Sequence, residues 1–206
     1  MTELRNISAL LFDLGGVLID IDFERALLRW SNQSHLPVAE LRRRFAMDEA
    51  YQQHERGEIP ASEYFAHLRQ TLELDASDTD IERGWNDIFV GEIATTIRYV
   101  ATAQTSLPCY LFSNTNPTHQ AFWISNFPTA IESFQRIFVS SELGLRKPDA
   151  EAFEAIAAET GFRLDETLFF DDSEENVTAA RRTGMPSVLV RDHADVATAL
   201  TSIGVI

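Results

Sequence analysis

The sequence has almost no cysteine. Cys109 is the only one among 206 residues, so the chain cannot form an intrachain disulfide or a cysteine-rich zinc site. A chain of this length needs no such crosslink, because folding buries roughly 70% of the surface that the unfolded chain exposes. We therefore expect one compact domain, or a core with a smaller insertion, stabilised by its apolar side chains.

Basic residues are also scarce. The chain has 17 Lys and Arg against 32 Asp and Glu, a formal net charge of −15. A surface of this sign repels nucleic acid and anionic membranes, so we expect neither as a partner. No apolar run approaches the roughly 20 residues of a membrane span, and residues 1–5 do not resemble the start of a signal peptide. These absences predict a cytoplasmic globular protein.

The sequence does contain a series of short apolar segments that end in small or polar residues. They are residues 7–14, 107–112, 136–139, 167–170 and 187–190. Continuous apolar character over about four to eight residues is typical of strands buried on both faces. Helical patterns at 149–160 and 173–183 alternate with these segments and are each followed by a glycine. The alternation predicts an α/β fold with a Rossmann-like parallel sheet.

The interval from residue 20 to residue 90 breaks this alternation. It contains no convincing strand, and helices are predicted at 23–33, 37–47, 62–73 and 80–89. We therefore predict an α/β core formed by residues 1–19 and 91–206. Residues 20–90 are predicted to form a small helical cap inserted after the first strand.

Chemically useful side chains follow the apolar segments, at the edge where parallel strands end and where such sheets bind ligands. They are Asp13, then Ser113, Asn114 and Thr115, then Lys147, and finally the pair Asp171 and Asp172. Adjacent acids repel each other unless a cation or a proton intervenes, and Mg²⁺ prefers oxygen ligands. Pro148 is expected at the first position of the next helix, which places Lys147 just before it.

This set of residues has the chemistry to transfer a phosphoryl group. Asp13 would attack phosphorus and form an aspartyl-phosphate, which water then hydrolyses. Mg²⁺ would bridge Asp13 and the phosphate and offset their repulsion. Lys147 and the hydroxyl and backbone N–H groups of residues 113–115 would hold the phosphoryl oxygens. Alone, each signal also fits a helix cap, a turn or a surface charge.

Four segments resemble the motifs of the haloacid dehalogenase superfamily. They are residues 11–18 (LFDLGGVL), residues 112–115 (FSNT), Lys147 with Pro148, and residues 169–173 (FFDDS) with Glu175 and Asn176. Further segments at 20–23, 30–31, 53–59, 84–85 and 113–116 make the resemblance closer to bacterial α-D-glucose-1-phosphate phosphatases. The resemblance implies a Mg²⁺-dependent phosphomonoesterase, with α-D-glucose 1-phosphate as the expected substrate.

The resemblance also implies a metal site. The ion would be bound by Asp13, the backbone carbonyl of Gly15 and Asp172. Asp171 and Asn176 would contact these ligands and hold them in place without binding the ion. Small phosphorylated metabolites are therefore the expected partners of the chain.

Gly15 is a departure from most phosphatases of the superfamily, which carry an Asp at this position as general acid and base. Glycine has no side chain that can transfer a proton. Three alternatives are open. Asp20, Asp22 or His54 of the cap supplies the proton, a good leaving group such as a hemiacetal oxygen reduces the need for it, or catalysis is weak.

The cap is expected to set specificity. Candidates for contact with a sugar ring are Trp30, His54, Glu55, Trp85 and Phe89, with core packing as the alternative for Trp85 and Phe89. Two other functions compete with the phosphatase. One is a metal-independent 2-haloacid dehalogenase, which also uses a nucleophilic Asp, and the other is a catalytically silent binding protein with this fold. The paired acids favour a metal site and therefore phosphate.

Overall fold

A computed structural model describes residues 6–206. Its strands are β1 (Ala9–Phe12), β2 (Ile19–Ile21), β3 (Phe89–Glu92), β4 (Cys109–Ser113), β5 (Arg136–Val139), β6 (Thr167–Asp171) and β7 (Ser187–Leu189). Its helices are α1 (Phe23–Trp30), α2 (Val38–Arg44), α3 (Glu49–Glu55), α4 (Ala61–Leu72), α5 (Asp78–Asn86), α6 (Ala94–Ala103), α7 (Pro117–Asn126), α8 (Ser140–Leu143), α9 (Ala150–Thr160), α10 (Glu174–Arg182) and α11 (His193–Ser202).

Residues 1–5 lie outside the described part of the chain. The predicted start of the core and the predicted absence of a signal peptide fall on them. Within residues 6–206, no helix is both long enough and apolar enough to span a membrane.

Five strands form a parallel sheet in the order β5-β4-β1-β6-β7. The predicted α/β fold is confirmed, and each of the five predicted apolar segments overlaps one of these strands. All four residues of β1 are buried, as expected for a strand covered on both faces. Because β1 lies between β4 and β6, the residues that follow these three strands meet at one edge of the sheet.

The two faces of the sheet are packed by different apolar clusters, since successive side chains of a strand point to opposite sides. Phe12 lies on one face and stacks on Phe170 of the neighbouring strand, with ring centroids 4.5 Å apart. Leu11 lies on the other face, where Phe169 and Phe153 of α9 also pack. This packing fixes the strands whose ends carry the polar residues.

The prediction that residues 20–90 contain no strand is wrong. β2 and β3 pair as an antiparallel ribbon in which Ile19 lies opposite Glu92 and Ile21 lies opposite Phe89. The predicted helix at 80–89 consequently ends at Asn86, and α3 was not predicted. Both strands are partly exposed and contain an acidic residue, Asp20 in β2 and Glu92 in β3. Neither is therefore a continuous apolar run of the kind that marks the buried strands. The boundaries of core and cap at 19–20 and 90–91 stay a prediction.

The helices between β2 and β3 have an apolar cluster of their own. Trp30 and Trp85 are fully buried in it, with nearly parallel rings whose centroids lie 6.2 Å apart. Gly84 makes this arrangement possible, because a Cβ at this position would lie 2.1 Å from Nε1 of Trp30. A rigid indole in a filled core cannot move away from such a contact without loss of packing.

Replacing Gly84 by alanine is therefore expected to lower the free energy of unfolding by about 1–3 kcal/mol, as overpacking does in filled cores. Urea denaturation measures this loss. Gly91→Ala is the matched control, because a Cβ at Gly91 meets nothing within 4 Å. Equal stability of the two variants would contradict the packing that we describe.

Candidate active site

Lys147 is a fully buried cation at the edge where the strands end. Its side chain is 1% exposed, and its Nζ donates to the Phe112 carbonyl at 2.9 Å and to Asp171 Oδ2 at 2.8 Å. Nζ also lies 2.8 Å from Asp13 Oδ1. Burial alone would lower the pKa of Lys147, but Asp13 and Asp171 outweigh burial and raise it. An ammonium group has three donors, so these contacts use all of them.

The position of Lys147 corrects one expectation. Pro148 does not open the following helix, because Asp149 is the N-cap and α9 begins at Ala150. Lys147 instead lies in a loop that Asn114 holds from both sides. Asn114 Oδ1 accepts from the Lys147 N–H at 2.9 Å, and Asn114 Nδ2 donates to the Lys147 carbonyl at 2.8 Å.

Asp13 follows β1 directly, and its N–H donates to the Phe170 carbonyl of β6 at 2.8 Å. Its Oδ1 accepts from the Leu14 N–H at 2.7 Å. Burial raises the pKa of Asp13 to about 8, although Lys147 opposes this shift. A carboxylate in this position needs further positive charge to stay ionised at neutral pH.

Asp171 and Asp172 complete an acidic cluster with Asp13. One carboxylate oxygen from each lies within 4.8 Å of the others. Asp171 is fully buried and accepts from Asn176 Nδ2 at 3.0 Å and from the Ser173 N–H at 2.8 Å. Asp172 is exposed. Carboxylate oxygens in this number and spacing suit a hard divalent cation that keeps several waters.

Gly16 lets Asp172 approach the loop that follows Asp13. Gly16 has a φ of +68°, and a Cβ at this position would lie 2.2 Å from Asp172 Oδ2. Both the left-handed backbone and the close approach require glycine. The loop after β1 and the acid after β6 are therefore packed directly against each other.

The three predicted phosphate-binding residues at the end of β4 have different surroundings. Ser113 is buried at the end of the strand and lines the cavity described below. The side chain of Asn114 holds the Lys147 loop, and its backbone N–H has no backbone acceptor among residues 6–206. The N–H of Thr115 donates to Ser140 Oγ at 2.8 Å, so this donor is already used within the protein.

A cavity of about 510 Å³ lies above the cluster, between the strand ends and the cap. Asp13, Gly15, Lys147 and Asp172 line its core side. Its cap side is lined by Ile21, Phe23, Met47, Tyr51, Glu55, Ile88 and Phe89. A cavity of this size admits a small ester but not a folded protein or a nucleic acid strand.

Only some of the cap residues expected to contact a sugar line this cavity. Glu55 and Phe89 line it, whereas Trp30 and Trp85 lie in the apolar cluster of the cap. His54 is buried outside the cavity, with Nδ1 3.3 Å from the Ile59 carbonyl. For Trp85, the alternative of core packing is therefore the one that the structure shows.

The three cap groups considered as proton donors all lie outside the cavity. Asp22 is the N-cap of α1 and accepts from the Glu24 N–H at 2.9 Å. Asp20 is exposed on β2. With His54 also outside, none of the three lines the cavity, among the residues that the structure describes.

A buried ion pair between cap and core was not predicted from the sequence. Nε and Nη2 of Arg146 each lie 2.9 Å from Glu55 Oε2, and the two side chains are 15% and 6% exposed. Burial raises the pKa of Glu55, and Arg146 opposes this shift. The two residues are 91 positions apart, so no local pattern links them. Arg146 is also the chain neighbour of Lys147.

The matching family model identifies the class of protein to which this fold and site belong. A model described as haloacid dehalogenase-like hydrolase matches residues 7–184. The chain therefore belongs to this hydrolase family, as the sequence motifs predicted.

The named relatives of the chain include phosphatases. It is 24% identical over 202 residues to D-ribitol-5-phosphate phosphatase of Bacteroides thetaiotaomicron, covering 96% of this chain and 98% of the relative. It is 27% identical over 194 residues to a phosphatase of Mycobacterium tuberculosis, covering 90% and 88% of the two chains. The prediction of a phosphatase is confirmed, while the predicted substrate is not tested by these names.

Solved structures of the family extend the comparison to the metal. A haloacid dehalogenase family enzyme of Bacteroides thetaiotaomicron, solved with magnesium and inorganic phosphate, has a TM-score of 0.76 and 31% identity, covering 88% of this chain and 92% of that one. L-2-haloacid dehalogenase of Xanthobacter autotrophicus has 18% identity, a TM-score of 0.64 and coverage of 97% and 84%, so it shares the fold. The predicted cofactor, Mg²⁺, is confirmed by the magnesium-containing relatives together with the acidic cluster.

Binding of Mg²⁺ is expected to depend on pH because Asp13 is protonated below about pH 8 and must lose this proton to bind a cation. Between about pH 6 and pH 8, the apparent affinity should rise by up to about tenfold per pH unit. Titration calorimetry in two buffers of different ionisation enthalpy measures the released proton. The Asp13→Asn variant should lose most of this dependence, and a wild-type affinity that is constant over this range would contradict the protonation that we assign.

Breaking the pair of Glu55 and Arg146 is expected to destabilise the protein. Glu55→Leu or Arg146→Leu leaves an unpaired buried charge, and each should cost about 3 kcal/mol of unfolding free energy. The double variant leaves no such charge, so its loss should be well below the sum of the two single losses. Urea denaturation of the four proteins checks this coupling, and strictly additive losses would rule it out.

Proposed function

We propose that the protein is a Mg²⁺-dependent phosphomonoesterase that acts on a small sugar phosphate, with α-D-glucose 1-phosphate as the first candidate. The observation that carries the proposal is the position of Asp13. Its carboxylate lies beside buried Lys147 and two further acids, on the floor of a cavity of about 510 Å³. The carboxylate proposed as nucleophile, a buried cation and the carboxylates proposed as metal ligands therefore lie at one small cavity.

Asp13 is the proposed nucleophile. One of its oxygens forms a bond to phosphorus, the bond between phosphorus and the sugar oxygen breaks, and an aspartyl-phosphate remains. Oδ1 of Asp13 is fixed by Lys147 and by the Leu14 N–H, which leaves Oδ2 as the oxygen for the attack. Water then hydrolyses the aspartyl-phosphate and restores the carboxylate.

The metal site is proposed to consist of Asp13, the carbonyl of Gly15 and Asp172. When bound there, Mg²⁺ supplies positive charge that offsets the repulsion between the phosphate dianion and the carboxylate. Asp171 supports the site from behind, because Lys147, Asn176 and the Ser173 N–H hold both of its oxygens. Its full burial fits a positioning role better than contact with the substrate.

The phosphoryl oxygens are proposed to bind Ser113 and the backbone N–H of Asn114, with Lys147 supplying charge from below. Fixed donors of this kind stabilise the charge of the transition state without rearranging. The N–H of Thr115 is satisfied by Ser140, so Thr115 contributes through its position in the cavity wall. The relative named D-ribitol-5-phosphate phosphatase supports a phosphorylated sugar or sugar alcohol as the substrate class.

The proposal predicts release of inorganic phosphate from α-D-glucose 1-phosphate in the presence of Mg²⁺. Asp13→Asn should lower kcat by at least about 10³-fold, because an amide does not attack phosphorus. Asp22→Asn is the matched control, since asparagine caps a helix as well as aspartate does. Malachite-green detection of phosphate, with and without chelator, measures both variants.

Full activity of Asp13→Asn would show that the nucleophile is assigned wrongly. The alternative activity, removal of chloride from 2-chloropropionate without metal, is tested in the same preparation. Dehalogenation without turnover of any phosphate ester would replace the proposal. The acidic cluster argues for the phosphatase, because a metal-independent dehalogenase has no use for three converging carboxylates.

A further inference from the structure

We propose that the protein selects phosphate esters whose leaving oxygen departs without a proton from the protein. These are esters of acidic hydroxyls, such as the anomeric hydroxyl of a sugar or a phenol, in contrast to esters of simple alcohols. Ile21 of the cap is the proposed specificity-determining residue. The inference rests on the proposed function and names the substrate class of the same site.

The first observation concerns the space beside Gly15, two residues after the nucleophile. A Cβ at Gly15 would lie 3.0 Å from Cδ1 of Ile21 and 3.8 Å from its Cγ1 and Cγ2. The three nearest atoms all belong to Ile21, and both residues line the cavity. Hydrocarbon therefore occupies the space that the first atom of a side chain at position 15 would meet.

Ile21 is held in this place by backbone pairing. It lies opposite Phe89 in the ribbon of β2 and β3, and the N–H of the next residue, Asp22, donates to the Ile88 carbonyl at 2.8 Å. Gly15 does not have a left-handed backbone. The backbone at position 15 therefore allows a side chain, and the tight contact with Ile21 is what an acidic side chain there would have to displace.

His119 lines the cavity, but both of its ring nitrogens are paired within the protein. Its Nε2 lies 3.0 Å from the Trp85 carbonyl, which can only accept, so Nε2 carries the hydrogen. Its Nδ1 lies 3.2 Å from Asn116 Nδ2, which donates to it. Burial lowers the pKa of His119 to about 3. The ring is therefore neutral, and both nitrogens are occupied by contacts within the protein.

Two further groups of the cavity wall are paired within the protein. Glu55 Oε2 accepts from Arg146 Nε at 2.9 Å and lies 2.9 Å from Arg146 Nη2. Lys147 uses all three of its donors on acceptors of the protein. Burial raises the pKa of Tyr51 well above its usual value. Asp172 and the exposed Glu175 belong to the segment of the acidic cluster, on the core side of the cavity.

The chemistry of the first step follows from these surroundings. An Asp13 oxygen bonds to phosphorus, and the leaving oxygen keeps the electron pair of the broken bond. An anomeric or phenolic oxygen carries this charge readily, whereas a simple alcohol must leave as a strongly basic alkoxide. In the second step, water attacks phosphorus, and its two protons end on hydrogen phosphate and on the released alkoxide. Proton transfer from a positioned acid raises the rate of such a step by about 10²–10⁴-fold. Without this acid, esters of simple alcohols should be cleaved more slowly by a factor of this order.

The wild-type protein with Mg²⁺ tests the inference directly. α-D-Glucose 1-phosphate and D-glucose 6-phosphate share one sugar and one charge but differ in the leaving oxygen. We expect kcat/KM, which reports the first irreversible step, to be about 10²-fold higher for the 1-phosphate. Across substituted phenyl phosphates, kcat/KM should fall steeply as the pKa of the phenol rises. Equal kcat/KM for the two glucose phosphates together with a flat phenyl series would overturn the inference.

Variants at the two positions separate proton transfer from fit. Ile21→Ala clears the space, and Gly15→Asp or Gly15→Asn in that background places an acid or its uncharged isostere in it. We expect the Asp double variant to exceed the Asn double variant by at least about tenfold in kcat/KM for D-glucose 6-phosphate. It should also gain a descending limb at high pH that the Asn variant lacks. Equal activity of the two double variants would overturn the need for a proton donor, and equal activity of Gly15→Asp with and without Ile21→Ala would overturn the role of Ile21.

These measurements distinguish a wrong phosphatase assignment from a wrong selectivity. Absence of phosphate release from every ester, 4-nitrophenyl phosphate included, would overturn both the proposed function and the inference. Rapid release from glucose 6-phosphate and from phenyl phosphates alike would leave the phosphatase in place and overturn the selectivity alone. Because the glucose pair needs only the wild-type chain, the inference stays open to refutation if a variant does not fold.

Discussion

The ammonium group of Lys147 is the interaction on which the site depends. Two carboxylates, Asp13 and Asp171, lie in a poorly solvated place at the ends of neighbouring strands, where their mutual repulsion would otherwise oppose folding. Lys147 reaches both of them and also the carbonyl of Phe112, so it joins the ends of β1, β4 and β6. A single buried cation thus connects the packing of the sheet to the position of the nucleophile.

The loop that carries Lys147 is held from two directions. Asn114, on the core side, binds its backbone, and Glu55, on the cap, binds the neighbouring Arg146. Because these contacts act on the adjacent residues Arg146 and Lys147, the position of the cap over the cavity and the position of the ammonium group depend on each other. Glu55 and Arg146 neutralise each other's charge. The remaining side chains on the cap side of the cavity are mostly apolar.

Much of this arrangement could be predicted from the sequence. The five sheet strands were evident because buried parallel strands are continuous apolar runs, and the rule for strand ends then brought Asp13, Ser113 and Asp171 together. The burial of Lys147 was not evident, since its partners come from segments distant in the chain. The contact of Ile21 with Gly15 and the pairing of Glu55 with Arg146 also depend on tertiary geometry. Trp30 and Trp85 were candidates for contact with a sugar ring, but they pack against each other in the cap.

The ribbon of β2 and β3 has a consequence for how such a protein can change. Its two strands carry the chain out of the core and back again side by side, so the ends of the intervening segment are fixed at the spacing of paired strands, about 4.8 Å. To the core, the whole helical segment is equivalent to a long hairpin loop, and the entropy of closing a loop grows only slowly with its length. Helices can therefore be lengthened, lost or exchanged between β2 and β3 without a change in the spacing of these two strands. The sheet and the edge that carries Asp13 then keep their structure. The cap is the part of the molecule in which new substrate preferences can arise at little cost to folding.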